Sequence, residues 1–342
     1  MTKNTKRSRL RFWLVWGSIG LGGSVTAWWL WAIAPPDQSL TMRITIPSGT
    51  PVQVIGEQFQ RLGLIRSSLA LRIWLAAVER VSLQAGTFDF EGSHSLGAIV
   101  AKLQNGQLVE ARFTIQEGWT LQQMGNYFAE LGYFSRADFV AAAQDLQGQR
   151  AKRPWLKEVG AISSLEGYLF PDTYQLSPAE VTPERVINMM LDQFEQVVLP
   201  LHSSESRFTL HQWLTLASMV EKEAVLASER SRIAAVFAHR LSLGMRLESD
   251  PTVEYALGIR QTVDQPLTLK QVRTPSPYNT YLNKGLPPGP IAAPGLASLK
   301  ASLNPLPTRE LFFVARYDGS HIFSETYKQH QQAISEVEKS LN

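Results

Sequence analysis

At 342 residues the chain has room for about two domains. With 44% hydrophobic and 18% charged residues it can bury a sizeable core, which excludes a disordered chain. The formal charge of +3 suggests a polyanion partner, but its distribution excludes nucleic acid: five of the 33 basic residues and none of the 30 acidic ones precede residue 12, leaving 28 basic against 30 acidic in the rest.

Residues 1–11 form a basic tail carrying Lys3, Lys6, Arg7, Arg9 and Arg11. Residues 12–34 follow without a charge, and as a helix they would extend about 34 Å, enough for a hydrocarbon core of roughly 30 Å. Trp13 and Trp16 lie near one end and Trp28, Trp29 and Trp31 near the other, where amphipathic rings favour the membrane interface. The flanking cations predict a cytoplasmic N-terminus and an external body. A cleaved signal peptide is the rival reading, because Ala32-Ile33-Ala34 has the small-residue pattern of a cleavage site. The apolar run is too long for that reading, and Pro35-Pro36 follows it directly. An external body without any Cys uses no disulfide, and its size suffices for a core without one.

An internal repeat opens the body. Arg43-Ile44-Thr45-Ile46 followed by Gly49, Gln53, Gly56, Phe59, Leu62 and Gly63 recurs 69 residues on as Arg112-Phe113-Thr114-Ile115 followed by Gly118, Gln122, Gly125, Phe128, Leu131 and Gly132, with nine of 21 aligned positions identical. Each copy predicts a strand, a Gly turn, a helix and a Gly stop, with Thr50 and Thr120 as helix caps. Such strand–helix units resemble LysM modules, which bind N-acetylated glycans; the alternative is a packing unit that orients the next domain. The first copy falls in a subdomain set at residues 40–108, which also holds a predicted helix over 67–79, a strand over 86–90 and a helix over 95–104.

Residues 109–342 form a larger domain. Its polar stretch 145–157 predicts a loop, and the pattern then turns to long helices over 182–198, 209–224 and 228–243. A Pro/Gly-rich stretch (274–295), a helix (296–303), a hairpin around Asp318-Gly319 and a terminal helix complete an α+β fold.

Several chemistries lack their parts. There is no phosphate loop with Lys, no H-E-x-x-H and no G-x-S-x-G. The six His residues (94, 202, 211, 239, 321 and 330) show no zinc-ligand spacing, so neither metal nor cofactor is expected.

Carboxylates are better placed. On the helix over 209–224, Trp213, Leu216, Ala217, Val220 and Ala224 line one stripe, and Glu221 and Glu223 sit on its opposite flanks, each about 80° from its centre. Glu223 falls between Leu216 and Met219, whereas Glu221 lies nearer Ala217 and Ser218, so burial bears harder on Glu223. Raising a Glu pKa from about 4.3 to about 6 takes roughly 2.3 kcal/mol and yields a general acid usable near neutral pH. Periodicity alone leaves open that both are boundary glutamates on a solvated flank.

The string Leu216-Ala217-Ser218-Met219-Val220-Glu221-Lys222-Glu223 resembles a signature of the endolytic murein transglycosylase family (YceG-like, MltG). Glu166-Gly167-Tyr168-Leu169-Phe170-Pro171-Asp172-Thr173-Tyr174, Gly244-Met245-Arg246-Leu247-Glu248-Ser249-Asp250-Pro251-Thr252-Val253, Tyr278-Asn279-Thr280-Tyr281 and Gly285-Leu286-Pro287-Pro288-Gly289-Pro290-Ile291 match as well, in the same order. Met219, His239 and Ser276-Pro277 depart from the usual pattern, and none of them touches the Glu-Lys-Glu string. The resemblance implies a catalytic Glu223, a membrane anchor at 12–34, a LysM-like subdomain at 40–108 and a catalytic domain at 109–342. It further implies endolytic cleavage of the β-1,4 bond between N-acetylmuramic acid and N-acetylglucosamine in nascent peptidoglycan, giving a 1,6-anhydro end and terminating strand growth. A bacterial inner-membrane location, with the catalytic domain periplasmic, and peptidoglycan synthases as partners follow from the same likeness. Glu166, Asp250, Tyr278, Asn279 and Tyr281 are candidate sugar-groove residues, with turn and cap roles as the alternative; Glu229, Arg230 and Arg240 read as structural ion-pair members. Two rival functions remain: a water-using muramidase, and a non-catalytic membrane-anchored glycan-binding scaffold.

Overall fold

The computed structural model describes residues 23–47, 49–77, 83–105, 110–203, 205–262, 264–316 and 318–341. The expected basic tail and the first half of the expected span lie outside them. Residues 23–33 form helix α1, and no helix among the described residues is long and apolar enough to cross a membrane. The fold is mixed α+β, with three two-stranded sheets among many helices in the described residues. It divides into two compact units, one of residues 1–111 with 175–180 and one of residues 112–174 with 181–342.

The first unit follows α1 with β1 (Leu40–Ile46), α2 (Val52–Arg61), α3 (Ser68–Ala77), β2 (Gly86–Gly92) and α4 (Leu96–Gln104). β1 and β2 pair antiparallel, Leu40 opposite Gly92 through Ile46 opposite Gly86. Period-two alternation turns Ile44, Ile46, Phe88 and Phe90 inward, where they meet Ile55 and Phe59 of α2 and Leu103 of α4. Ala32 of α1 joins this core, with Trp28 and Trp29 packed against it. Thr50 does not cap α2: its hydroxyl donates back to the Pro47 carbonyl at 2.7 Å, and Pro51 stands at the helix start with no side-chain cap. Pro51 has the fixed φ that starts a helix well, and this displaces the cap.

In the second unit, β3 (Ala111–Thr114) leads into α5 (Leu121–Glu130), where Thr120 and Gln123 form a reciprocal capping box. Both copies of the repeat thus adopt strand and helix, and in both a left-handed glycine follows the strand (Gly49 and Gly118) and another the helix (Gly63 and Gly132). α6 (Arg136–Gln144) comes next. The polar stretch expected to be a loop is instead two short helices, α7 (Leu146–Lys152) and α8 (Trp155–Glu158). Asp145 caps α7 through the Gly148 amide. Arg153, read as a loop residue because it is charged, is buried: it pairs with Asp192 and with Glu195 at 2.9 Å. Both partners lie on α9 (Pro183–Val197), which follows β4 (Thr173–Leu176), the strand paired with β3.

α10 (Leu210–Glu223) is the central helix, started by a Thr209–Gln212 capping box and packed against α11 (Arg230–Ser242) and α14 (Leu296–Leu303). The single apolar stripe expected for it is too narrow a description, because every residue from Trp213 to Val220 is buried. Its polar members are satisfied internally: the Thr215 hydroxyl donates to the His211 carbonyl, and that of Ser218 to the Thr215 carbonyl. Two helices not foreseen follow α11, namely α12 (Asp250–Leu257) and α13 (Leu269–Val272). The hairpin β5 (Phe312–Ala315) and β6 (His321–Ser324) and the helix α15 (Tyr327–Leu341) close the unit.

Candidate active site

A helix buried all round presents functional groups only at its ends, and α10 ends at Glu223. Ala224 turns extended (ψ 108), so the last turn stops at the wall of an open cleft of about 660 Å³. That cleft is lined by Lys222, Glu223, Glu248, Asp250, Glu254, Arg260 and Tyr281, with the hairpin residues Phe312–Ala315 on another side.

The two glutamates of α10 have separate surroundings. Glu221 accepts a hydrogen bond from the Gly295 amide at 3.0 Å, pairs with Arg230 at 3.7 Å and keeps a side chain only 7% exposed. It supports the N-terminus of α14, where Gly295 has no side chain to offer as a cap. Glu117 serves the same helix end, and its pKa is raised by burial and by the neighbouring Glu221. Glu223 faces the cleft. Burial pushes its carboxyl up to about 7, the carboxylates of Asp250 and Glu254 add to the rise, and a hydrogen bond from Ser249 opposes it.

That Ser249 hydroxyl donates to Glu223 Oε1 at 2.6 Å. Ser249 is itself fixed on all sides: its amide donates to Thr280 Oγ1 at 3.0 Å and its carbonyl accepts from Thr252 Oγ1 at 2.6 Å. The two threonine hydroxyls lie 2.9 Å apart, and all three residues are buried. Glu248, directly before Ser249, has φ 52, the one positive φ outside glycine among the described residues. A left-handed non-glycine residue costs on the order of 1–3 kcal/mol and persists only where its surroundings fix it. Here Arg240 does so, donating to the Leu247 carbonyl at 2.9 Å and pairing with Glu248 at 3.4 Å.

The structure brings Glu223, Asp250 and Tyr281 together. Asp250 is not a helix cap, because the cap position belongs to Ser249. Its Oδ1 accepts from the Tyr281 hydroxyl at 2.6 Å and its Oδ2 from Gln261 at 3.0 Å. The other three candidates make internal contacts away from the cleft lining. Asn279 is buried and donates to the Val272 and Thr274 carbonyls, stapling the loop after α13. Tyr278 packs against Tyr255 with ring centres 4.9 Å apart. Glu166, in the turn before Gly167, receives the Leu121 amide at 3.2 Å and the Tyr255 hydroxyl at 3.2 Å, and burial raises its carboxyl to about 8.

Ser249, Thr252 and Thr280 are the site residues that sequence reasoning missed. All three lie inside two of the matching strings, but nothing local ties them to a glutamate 26 residues upstream of Ser249. The histidines carry structural bonds: His211 bridges Tyr168 and the Pro288 carbonyl at 2.7 Å each, and His321 pairs with Glu229 at 2.7 Å. No cluster of His, Cys, Asp and Glu suited to a metal ion occurs among the described residues.

Comparison with known proteins places this geometry. The model of the YceG-like family matches residues 44–336. A Bacillus subtilis protein named endolytic murein transglycosylase is 33% identical over 317 residues, covering 90% of this chain and 87% of its own length. A protein of the same name from Streptococcus pneumoniae is 32% identical over 342 residues; the chain covers 61% of that longer protein. A crystal structure of a yceG-like protein from Listeria monocytogenes, 30% identical, superposes with a TM-score of 0.60 over 86% of this chain and 99% of that one. On these matches, the chain belongs to the YceG-like family.

Proposed function

We propose that this protein is an endolytic lytic transglycosylase that cuts peptidoglycan strands at the β-1,4 bond between N-acetylmuramic acid and N-acetylglucosamine. One observation carries the reading: the Glu223 carboxyl, its pKa raised to about 7, sits half-buried at the wall of an open cleft and accepts a hydrogen bond from Ser249. Near neutral pH about half of such groups hold a proton, as a general acid requires. Glu223 donates that proton to the leaving 4-oxygen of N-acetylglucosamine as the bond to the muramyl anomeric carbon breaks. The muramyl 6-hydroxyl then forms the new bond to that carbon and gives its proton to the Glu223 carboxylate. The acid is regenerated, no water is consumed, and the product ends in a 1,6-anhydro ring.

Hydrolysis by water commonly uses a second, free carboxylate. Asp250, whose charge acts most strongly on Glu223 among the neighbouring carboxylates, has both of its oxygens already engaged by Tyr281 and Gln261. An intramolecular hydroxyl needs no such base to position a water and gains from effective molarity. Asp250 and Tyr281, already in the cleft, serve as sugar-binding groups.

The uncharged run over residues 12–34 and the cations before it support a single-pass anchor in the bacterial inner membrane, with a cytoplasmic N-terminus and a periplasmic catalytic domain. The β1–α2–α3–β2 arrangement supports a LysM-like glycan-binding role for the first unit. Cutting strands as synthases extend them would make the enzyme a terminase of elongation, with those synthases as partners.

The test compares Glu223→Gln with Glu221→Gln on purified peptidoglycan, with mass spectrometry of the products. Glu223→Gln is expected to fold normally and lose cleavage by about a hundredfold or more, whereas Glu221→Gln retains cleavage and loses stability. Reducing ends in place of anhydro ends would establish the water-using muramidase. Equal behaviour of Glu223→Gln and wild type would establish the scaffold.

A further inference from the structure

The first unit meets the proposed anchor in a way that changes how much of the anchor is free to span. Trp28, Trp29 and Ile33 of α1 pack against the core of this unit, and Ala32 is 1% exposed within it. The Trp29 ring stacks on Trp74 of α3 at 6.4 Å, and the Arg66 guanidinium lies over Trp31 at 5.6 Å while also pairing with Asp37 at 2.5 Å. If residues from 28 onward are docked, the run left to cross the hydrocarbon is residues 12–27. Those 16 residues extend about 24 Å as a helix, roughly 6 Å less than the hydrocarbon is thick. Contact of the bilayer with α1 up to Leu30 and Trp31, which are 60% and 50% exposed, would make up that difference.

At that level stands α3. Arg66, just before its start, meets Trp31, whereas Trp74 in its last turns meets Trp29. The face of α3 away from the core carries Leu69, Arg72, Ile73 and Ala76, spaced i, i+3, i+4 and i+7, and all exposed. Leu69 is 50% and Ile73 41% exposed. An apolar stripe with one cation at its edge is the pattern of a helix lying in the headgroup layer of an anionic bilayer.

We infer that this face of α3, with Leu30 and Trp31, seats the first unit in the interfacial layer of the phospholipid bilayer. The inference rests on the anchor reading above. The unit is then held against the membrane surface instead of swinging on a tether, and the shortened span is made up by interfacial contact.

The chain has no Cys, so single labels are clean. Val25→Cys, Leu69→Cys and Ile73→Cys are each labelled with the environment-sensitive fluorophore NBD in the full chain. The proteins are reconstituted in phosphatidylethanolamine/phosphatidylglycerol nanodiscs, with and without lipid bearing a nitroxide high on its acyl chain. Quenching of about threefold or more at all three positions is expected. Quenching at Val25 alone overturns the docked surface and leaves the anchor standing. No quenching at Val25 removes the anchor, and the inference with it.

Discussion

Among the described residues, the Ser249 hydroxyl is the one direct hydrogen-bond partner that stabilises the charged form of Glu223. Its removal is therefore expected to raise the carboxyl above about 7. A general acid loses activity as pH rises through its pKa, so Ser249→Ala should move the alkaline limb of the kcat/KM profile upward by about one unit, the worth of one charge-assisted hydrogen bond. An unshifted limb would show that Ser249 only packs. Glu166 permits a second measurement. Its folded pKa of about 8 exceeds the ordinary 4.5, so between these values the folded chain binds the extra proton and stability falls as pH rises. Its contribution is complete below 4.5 and gone once pH has passed about 8. Glu166→Gln, measured by chemical denaturation from acid to mildly alkaline pH, should remove a loss on the order of 3 kcal/mol across that window. A smaller slope of the same sign remains from Glu223.

Sequence and structure part company at the level of elements for identifiable reasons. α9 and α10 were legible because caps and periodicity agree there, with Thr182 and Thr209 each bonding the amide three residues on, and the β5–β6 hairpin because Asp318-Gly319 marks its turn. α7 and α8 were not, because polarity was taken for exposure and Arg153 spends its charge on α9 instead of on water. α12 was not foreseen, although Pro251 stands at its first turn, where a proline starts a helix well. At the site, Glu223 could be favoured over Glu221 from helix phase, but the reason for their difference is tertiary: Glu221 holds α14 and Glu223 meets Ser249. Gly167 makes the same point in the backbone. It has φ +80, and an added Cβ would stand 2.3 Å from Pro290 Cβ, in the Pro/Gly-rich stretch 274–295 whose partner no local pattern reveals. Gly167→Ala should cost about 3 kcal/mol or more in denaturant unfolding, since both strain and overlap act. Gly160→Ala, with φ +87 but open space around it, should cost only about 1 kcal/mol. Similar losses at both positions would mean that packing against Pro290 is slack.

Taken over the whole chain, a charge of +3 is a poor guide to what the protein binds, because the excess is concentrated before residue 12 and the rest carries 28 basic against 30 acidic residues. The cleft repeats that balance. Lys222, Arg240 and Arg260 face Glu223, Glu248, Asp250 and Glu254, and Arg240 is already paired with Glu248. Such a surface offers a polymer no row of cations to neutralise, so binding releases few counterions. A glycan recognised through hydroxyl and acetamido groups should bind with little regard to salt. KM for peptidoglycan is expected to change less than about twofold between 50 and 200 mM salt, where a protein making several phosphate contacts would lose about a thousandfold. A steep salt dependence of KM, with kcat constant, would instead assign Lys222 and Arg260 to carboxylates of the peptide stems. Lys222→Gln and Arg260→Gln would then each flatten the slope by about one unit.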